Sequence, residues 1–330
     1  MSSPPRTVEV TTRARPLRRF LRWESLLAIV VAVVFAGIAS VSPYILDPWT
    51  LSDATFNFTE KALIALPLAL LIIAREIDIS VAAIIALASV AMGLAAQAGF
   101  PTPVLLAVGL GTGLAAGMIN GMLVTVLHVP SIVATIGTMS LFRGIAYGVL
   151  GDNVLKSYPP SFAWFGQGYV FGPVSFELVL FVVAALVTAV ILHRTIIGRR
   201  IYAIGSNPTA AFFAGVRVAR YRFWLFAATG LASGLAAILL TSRLGSTRPT
   251  IALGWELEVV SIVILGGVSI AGGVGTIAGV VLAAILFGLT TFGLSLMNVP
   301  GIVLSIFVGA LLIVVVSIPA IARRLAWPKT

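Results

Sequence analysis

The chain contains no cysteine and only two histidines. Lack of cysteine excludes disulfide scaffolds, thiolate metal sites and cysteine catalysis, although it names no compartment. Charge is scarce too: charged residues make up 10% of the 330, where a soluble surface carries about 25%. What fills the chain is apolar, at 59% before the 32 glycines are added; soluble domains reach about 45–50% with glycine included. A chain so short of charge cannot cover itself with water-compatible surface, so it reads as an integral membrane protein. With about 20 apolar residues needed to cross a ~30 Å hydrocarbon core, the hydrophobic content suffices for on the order of ten spans. A soluble enzyme and a nucleic-acid-binding domain are excluded on the same ground.

The imbalance of 21 basic to 11 acidic residues acquires meaning from its position. Arg6, Arg13, Arg15, Arg18, Arg19 and Arg22 precede the first apolar run. Arg194, Arg199, Arg200, Arg217, Arg220 and Arg222 share one stretch, and Arg323, Arg324 and Lys329 close the chain. Short basic segments beside apolar runs mark cytoplasmic loops. Nothing resembles a basic groove with stacking aromatics, so nucleic acid is not an expected partner.

Ten spans are expected: Ser25–Leu46, Lys61–Ala74, Ser80–Ala98, Pro103–His128, Pro130–Leu150, Glu177–His193, Phe223–Thr241, Val259–Gly272, Gly275–Met297 and Gly301–Ile321. The first is too long for a signal peptide's apolar region and reads as a retained anchor. An even count places all three basic clusters, and both termini, in the cytoplasm. The second and eighth spans, each about 14 residues, suggest broken or re-entrant segments. Val129-Pro130-Ser131-Ile132-Val133 and Val299-Pro300-Gly301-Ile302-Val303 form a weak repeat five spans apart, an odd offset that inverts the second copy. The expected fold is therefore an all-α integral membrane protein of about ten transmembrane helices. A basic tail (1–24) precedes the transmembrane domain (25–321), which carries a cytoplasmic loop at 194–222, and a second basic tail (322–330) follows.

No phosphate-binding loop is present: in Gly151–Ser157, Leu155 replaces the required second glycine. H-E-x-x-H and G-x-S-x-G are also missing, so no catalytic residue, metal or cofactor is expected and the chain is not read as an enzyme. The glycines serve packing instead. Gly109, Gly113, Gly117 and Gly121 recur every fourth residue, as do Gly230 and Gly234, and Gly275 and Gly279. Small residues at this spacing let helix backbones approach closely. Asn120 lies in the same region, facing either a neighbouring helix or a solute.

Arg75-Glu76-Ile77-Asp78-Ile79-Ser80 puts three charges between two apolar runs. Either this is a tight cytoplasmic turn with Arg75 paired to Glu76 or Asp78, or a helix break bordering a pathway with Asp78 or Ser80 capping the next helix. Arg143, alone inside the fifth span, is either an ion-pair strut or a pathway residue. In the 194–222 loop, Ser206 or Asn207 can cap a short helix that Pro208 opens and Gly215 ends. Phe212 and Phe213 give that helix an apolar surface suited to a protein contact.

Three segments together resemble the permease subunits of bacterial ribose-type carbohydrate ATP-binding-cassette importers, autoinducer-2 permeases included. Ala74–Val81 is similar to the family's G-G-I-D-L-S-V-G, Pro130–Met139 to its P-x-F-I-V-T-L-G-T, and Gly198–Val216 to its G-x-x-x-x-A-I-G-x-N-x-x-A-A-x-x-x-G-I loop. The resemblance implies a multi-pass protein of the bacterial inner membrane, surrounded by lipid and paired with a second permease copy or homologue. Gly198, Gly205, Asn207, Ala210, Ala211 and Gly215 would form the segment that docks on a cytoplasmic ATPase. A periplasmic binding protein would deliver the solute, and Thr135 and Thr138 join the residues bordering its pathway. Arg75-Glu76 stands where many relatives have Gly-Gly, a variant similar to rhamnose-type permeases, and Phe212 stands where a basic residue is frequent. Two readings from other classes stay open: an ion-coupled secondary transporter using Glu76 or Asp78, and a non-transporting membrane scaffold.

Overall fold

A computed structural model describes residues 23–56 and 58–299, with Val303, Ile306, Gly309 and Ala310 beyond them. The first basic tail up to Arg22, the whole of the second and nearly all of the tenth expected span lie outside the described residues, as does most of the second V-P-x-I-V copy.

The chain folds into helices α1 (Trp23–Val41), α2 (Pro48–Thr55), α3 (Thr59–Ile73), α4 (Val81–Gln97), α5 (Thr102–Thr125) and α6 (Ser131–Leu150). After a loop and the single-turn α7 (Trp164–Gln167) come α8 (Phe176–Arg194), α9 (Ile196–Ser206), α10 (Pro208–Phe213), α11 (Val218–Leu244), α12 (Trp255–Leu265) and α13 (Ile277–Leu296). Among the described residues six helices are long and apolar enough to cross a membrane: α1, α5, α6, α8, α11 and α13. A seventh arises if α2 and α3, bent by 47° at the break between them, act as one span.

Burial sorts the helices. α3 and α4 are enclosed on nearly every side, which suits sequences that are apolar all round. α11 packs on α3, α4 and α5, while α12 and α13 pack on α3. α6 and α8 keep one long apolar face open, with Ile132, Ile136 and Ile145 exposed on α6 and Val183, Leu186 and Val190 on α8. In a bilayer such faces meet lipid or another membrane protein.

Two structural expectations are corrected. The eighth expected span, Val259–Gly272, is displaced: its helix begins at Trp255 and ends at Leu265, after which Gly267, Gly272 and Gly273 adopt φ of 85°, 81° and 74°. Glycine alone takes that backbone cheaply, so the apolar run continues while the helix does not. At 1.5 Å per residue α12 covers only about 16 Å, half the hydrocarbon thickness. Likewise Gly275 precedes α13, with φ 155°, and Thr276 caps that helix by accepting from the Gly279 amide at 3.2 Å. Gly275 is therefore not on a packing face of α13. The all-helical reading also missed a small antiparallel hairpin, Tyr169–Phe171 with Val174–Ser175, turned at Gly172-Pro173.

The glycine repeats of α5 and α11 face each other. A Cβ on Gly113 would lie 2.6 Å from the Gly234 Cα, and one on Gly117 would lie 2.5 Å from the Phe226 carbonyl oxygen. Gly109 lies against Met92 and Ile238, and Gly121 against Phe223. Dispersion and weak backbone contacts gain from this proximity where lipid supplies no hydrophobic drive.

Polar contacts gather at two opposite ends of the bundle. At one end Arg243 Nε donates to Glu60 at 2.8 Å, Lys61 pairs with Glu258 at 2.5 Å, and Arg143 donates to the carbonyls of Pro249 and Ile251 at 2.7 and 2.8 Å. There Ser89, Thr241, Thr247 and Tyr158 share a chain of hydroxyl hydrogen bonds, and Leu155 and Thr247 form a β-bridge. Burial pushes the Tyr158 phenol up to about 12, so its hydroxyl stays protonated across physiological pH.

Replacing Gly113 by Leu should force α5 and α11 apart and cost about 1–3 kcal/mol, as overpacking does. Gly111→Ala on the same helix, where a Cβ meets nothing within 4 Å, should leave stability unchanged or slightly raised. Thermal unfolding of the purified variants compares the two.

Candidate site for translocation and coupling

The other end of the bundle collects the charged segment and the basic loop. α3 stops at Ile73 and Arg75 follows with φ 66°, a left-handed backbone that costs a non-glycine residue about 1 kcal/mol or more. Arg75 does not pair with Glu76 or Asp78. Its guanidinium donates to the Ser206 carbonyl at 2.9 Å, and Glu76 pairs instead with Arg222 at 2.9 Å. These partners come from the distant 194–222 loop, so side-chain spacing within the segment carries no trace of them.

Asp78 is fully buried. Its carboxylate accepts from the Ser80 amide at 2.9 Å, from Ser80 Oγ at 2.6 Å and from Asn120 Nδ2 at 3.3 Å. Ser80 is the N-cap residue of α4 but makes no side-chain cap, so Asp78 steadies the residue before the helix rather than the first helical turn. Asn120 Nδ2 also donates to Ser80 Oγ at 2.8 Å, while its Oδ1 is buried without a partner among the described residues. From α6, Ser131 Oγ accepts from the Ile77 amide at 3.4 Å, and Thr135 Oγ1 bonds the Ser131 carbonyl at 2.8 Å with a longer approach to Ile77. Thr138 bonds the Thr135 carbonyl at 3.3 Å. The helix break thus joins α3, α4, α5 and α6. Arg143 stands apart, at the opposite end.

Two helices, not one, occupy the basic loop. Thr195 caps α9, accepting from the Gly198 amide at 3.4 Å. Asn207 caps α10, accepting from the Ala210 amide at 3.0 Å, Pro208 opens that helix, and Gly215 follows its end with φ 83°. Ala211 is turned into the bundle, whereas Ala210 and the ring pair Phe212–Phe213 face outward, Phe213 at 82% exposure. α9 was missed because its period is hidden among arginines: Ile201 and Ile204 are buried while Arg199 and Arg200 are exposed.

The basic loop and the helix break meet without any intervening side chain. A Cβ on Gly205 would overlap the Ile73 carbonyl oxygen and crowd Gly273, whose amide donates to that same oxygen at 2.9 Å. Arg75 bridges to Ser206 beside this contact, and Tyr202 Oη donates to the Gly275 carbonyl at 2.6 Å. Burial raises the Tyr202 phenol above its ordinary range, so that donor stays protonated. Three backbone segments therefore interlock: the end of α3, the end of α9 and the 272–275 turn. Gly272 and Gly273 were absent from the sequence-derived site; their signal was the Gly-Gly pair itself, which asks for a backbone only glycine tolerates.

The buried helix break is thus clasped by a short helix of the basic loop. Residues 50–316 match the family described as branched-chain amino acid transport system / permease component, and the chain belongs to that family. It is a multi-pass inner-membrane permease. Among curated proteins it is similar to the autoinducer 2 import system permease protein LsrD of Escherichia coli K12, with 36% identity over 301 residues, 89% of this chain and 91% of the relative. The LsrD protein of Shigella flexneri matches with the same identity and coverage. No solved structure matches the chain.

Asp78→Ala should leave the Ser80 amide and hydroxyl without their acceptor in a buried place, at about 1–3 kcal/mol for each orphaned group, while Asn120 Nδ2 keeps Ser80 Oγ. Asp78→Asn keeps an acceptor for Ser80, and Asn120 can reverse its amide to offer the free Oδ1, so its loss should be smaller. Thermal unfolding together with uptake at matched expression tests this order; equal loss in both variants would show that the negative charge itself is required.

Proposed function

We propose that the chain forms the pathway of an ATP-binding-cassette importer for a sugar or sugar-like solute of the autoinducer-2 or ribose type. A periplasmic binding protein delivers the solute and a cytoplasmic ATPase, seated on α10, drives the cycle. Rhamnose, suggested by Arg75-Glu76, finds no support in the autoinducer-2 relatives. The observation that carries the reading is the contact of Gly205 with Ile73 and Gly273. Backbone packed on backbone has no flexible side chain to absorb a displacement. Motion of α9 and α10 therefore moves the helix break, and Asp78–Asn120 and Ile77–Ser131 pass it to α5 and α6.

The open face of α6 is the proposed seat of the second permease copy or homologue. Gly137, Gly144 and Gly148 lie there with nothing within 4 Å of a Cβ, a surface another helix backbone can approach. Thr135 and Thr138 are buried on the opposite side of α6, so in this reading they hold the helix on the break rather than line a passage between protomers. Both termini are cytoplasmic, and the segments near Asp53, Lys156 and Arg248 are periplasmic. The arginine clusters support that orientation; so does the convergence of Ser131, Ser206 and Arg222 on the helix break, away from Lys61, Arg143 and Thr247.

A secondary transporter is not favoured. The two carboxylates that reading relies on are both engaged, Glu76 with Arg222 and Asp78 with Ser80 and Asn120. A scaffold would have no use for a coupling helix with two exposed phenylalanines.

Because Ala211 faces inward, the docking surface is tested at Phe213. Phe213→Asp should leave permease expression and thermal stability intact yet weaken ATPase co-purification by about 30-fold, the ~2 kcal/mol of a lost interface anchor, and abolish uptake. Unchanged uptake would move the docking surface elsewhere. Orientation is tested with Thr209→Cys in this cysteine-free chain: an impermeant periplasmic reagent should not label it, and labelling would overturn the topology.

A further inference from the structure

We propose that the cavity between α9 and the first turns of α11 binds the headgroup of an acidic phospholipid from the cytoplasmic leaflet. The inference rests on the orientation proposed above. The cavity measures about 650 Å³ and is lined by Arg200, Arg217 and Arg220, with no carboxylate among its described lining residues. A neighbouring cavity of about 500 Å³ shares Arg217 and Arg220 and adds Arg222 and His128. Arg222 is already balanced by Glu76, and Arg200 is held by Tyr221, donating to its hydroxyl at 2.7 Å with the guanidinium over the ring. Arg217 and Arg220 are exposed, and no ion pair to either is found among the described residues. An uncompensated basic wall favours an anion.

The rest of the lining says which anion. Beside Tyr221 and Gly215, the rest of the wall is apolar, from Ile197, Ile201, Trp224 and Leu225, which suits acyl chains better than a free phosphate. Trp224 is half exposed where α11 turns apolar, the position tryptophan takes at a membrane interface. Seven residues separate Arg217 from Trp224, about 10 Å along the helix, so the arginines lie about one headgroup layer beyond the hydrocarbon edge. α9 completes the site as an interfacial helix, with Ile196 and Ile197 exposed beside Arg199 and Arg200. Basic pockets of this kind at the cytoplasmic ends of transmembrane helices take anionic lipid headgroups. An acidic lipid here would touch both α9, which carries the coupling contact, and α11, which carries the glycine seam.

The experiment delipidates the full-length permease in detergent and measures retention of dioleoylphosphatidylglycerol against dioleoylphosphatidylcholine by native mass spectrometry. Phosphatidylglycerol should be preferred, by about fivefold for each arginine that its headgroup meets. Arg217→Gln and Arg220→Gln should each cut the preference about fivefold, while Arg217→Lys retains it and Arg248→Gln has no effect. Equal retention of the two lipids, or an unchanged preference in the glutamine variants, would overturn the proposal. So would displacement of the lipid by millimolar inorganic phosphate, which would make the site one for a free anion. Glutamine variants that lose co-purified ATPase but keep the lipid preference would assign the surface to that protein instead. Thr209→Cys labelling is read in parallel: periplasmic labelling refutes the orientation, whereas cytoplasmic placement with no lipid preference refutes this inference alone.

Discussion

Gly205 lies against the Ile73 carbonyl with no room for a methyl group, and much of the fold around it follows from that contact. For α9 to come so close, α3 must end at Ile73 and leave its carbonyl free to face the loop. The chain then turns sharply at Arg75, in a left-handed conformation, and the third participant, Gly272-Gly273, takes positive φ to bring its own amide to the same oxygen. Glycine takes that backbone cheaply, but Arg75 does not, and local preference alone would not hold the three segments together. They stay together because buried backbone polar groups must find partners, and here the partners belong to three different segments.

Elsewhere the bundle follows the economy of a membrane protein. Lipid offers apolar helices no reason to associate, so α5 and α11 adhere through glycine faces that bring their backbones together. Among the described residues three ion pairs form, and they fall at two ends: Glu60 with Arg243 and Lys61 with Glu258 at one, Glu76 with Arg222 at the other. The middle of the bundle is left to shape. A structure organised in this way can move as rigid helices about a polar hinge, which a transport cycle requires.

How much of this was legible depended on the range of the interaction. The α5 and α11 faces could be read because a four-residue period is local, and the Asn207-Pro208 helix start because capping involves adjacent residues. The small hairpin left only Gly172-Pro173 as its signature. Long-range partners left no mark: Arg75 reaches a carbonyl 131 residues away, and Arg243 reaches a glutamate 183 residues away. Arg222 was counted toward membrane orientation, which concealed its pairing with Glu76. The boundaries of α12 were missed because hydrophobicity continues past the glycines that end the helix. Ala211 shows the same limit at the site itself, since membership in a motif says nothing about which way a residue faces on a six-residue helix.

The most direct test of the central contact is the coupling ratio of Gly205→Ala in the complete importer, reconstituted in vesicles with its ATPase and binding protein. The added methyl group separates α9 from the end of α3 but leaves the exposed surface of α10 untouched. At matched assembly, ATP hydrolysis should continue while solute uptake falls about tenfold or more, the consequence of losing the ~1.4 kcal/mol of coupling that one such factor represents. Uptake and hydrolysis that remain in the original ratio would contradict the account, because the contact would then position the loop without transmitting its motion.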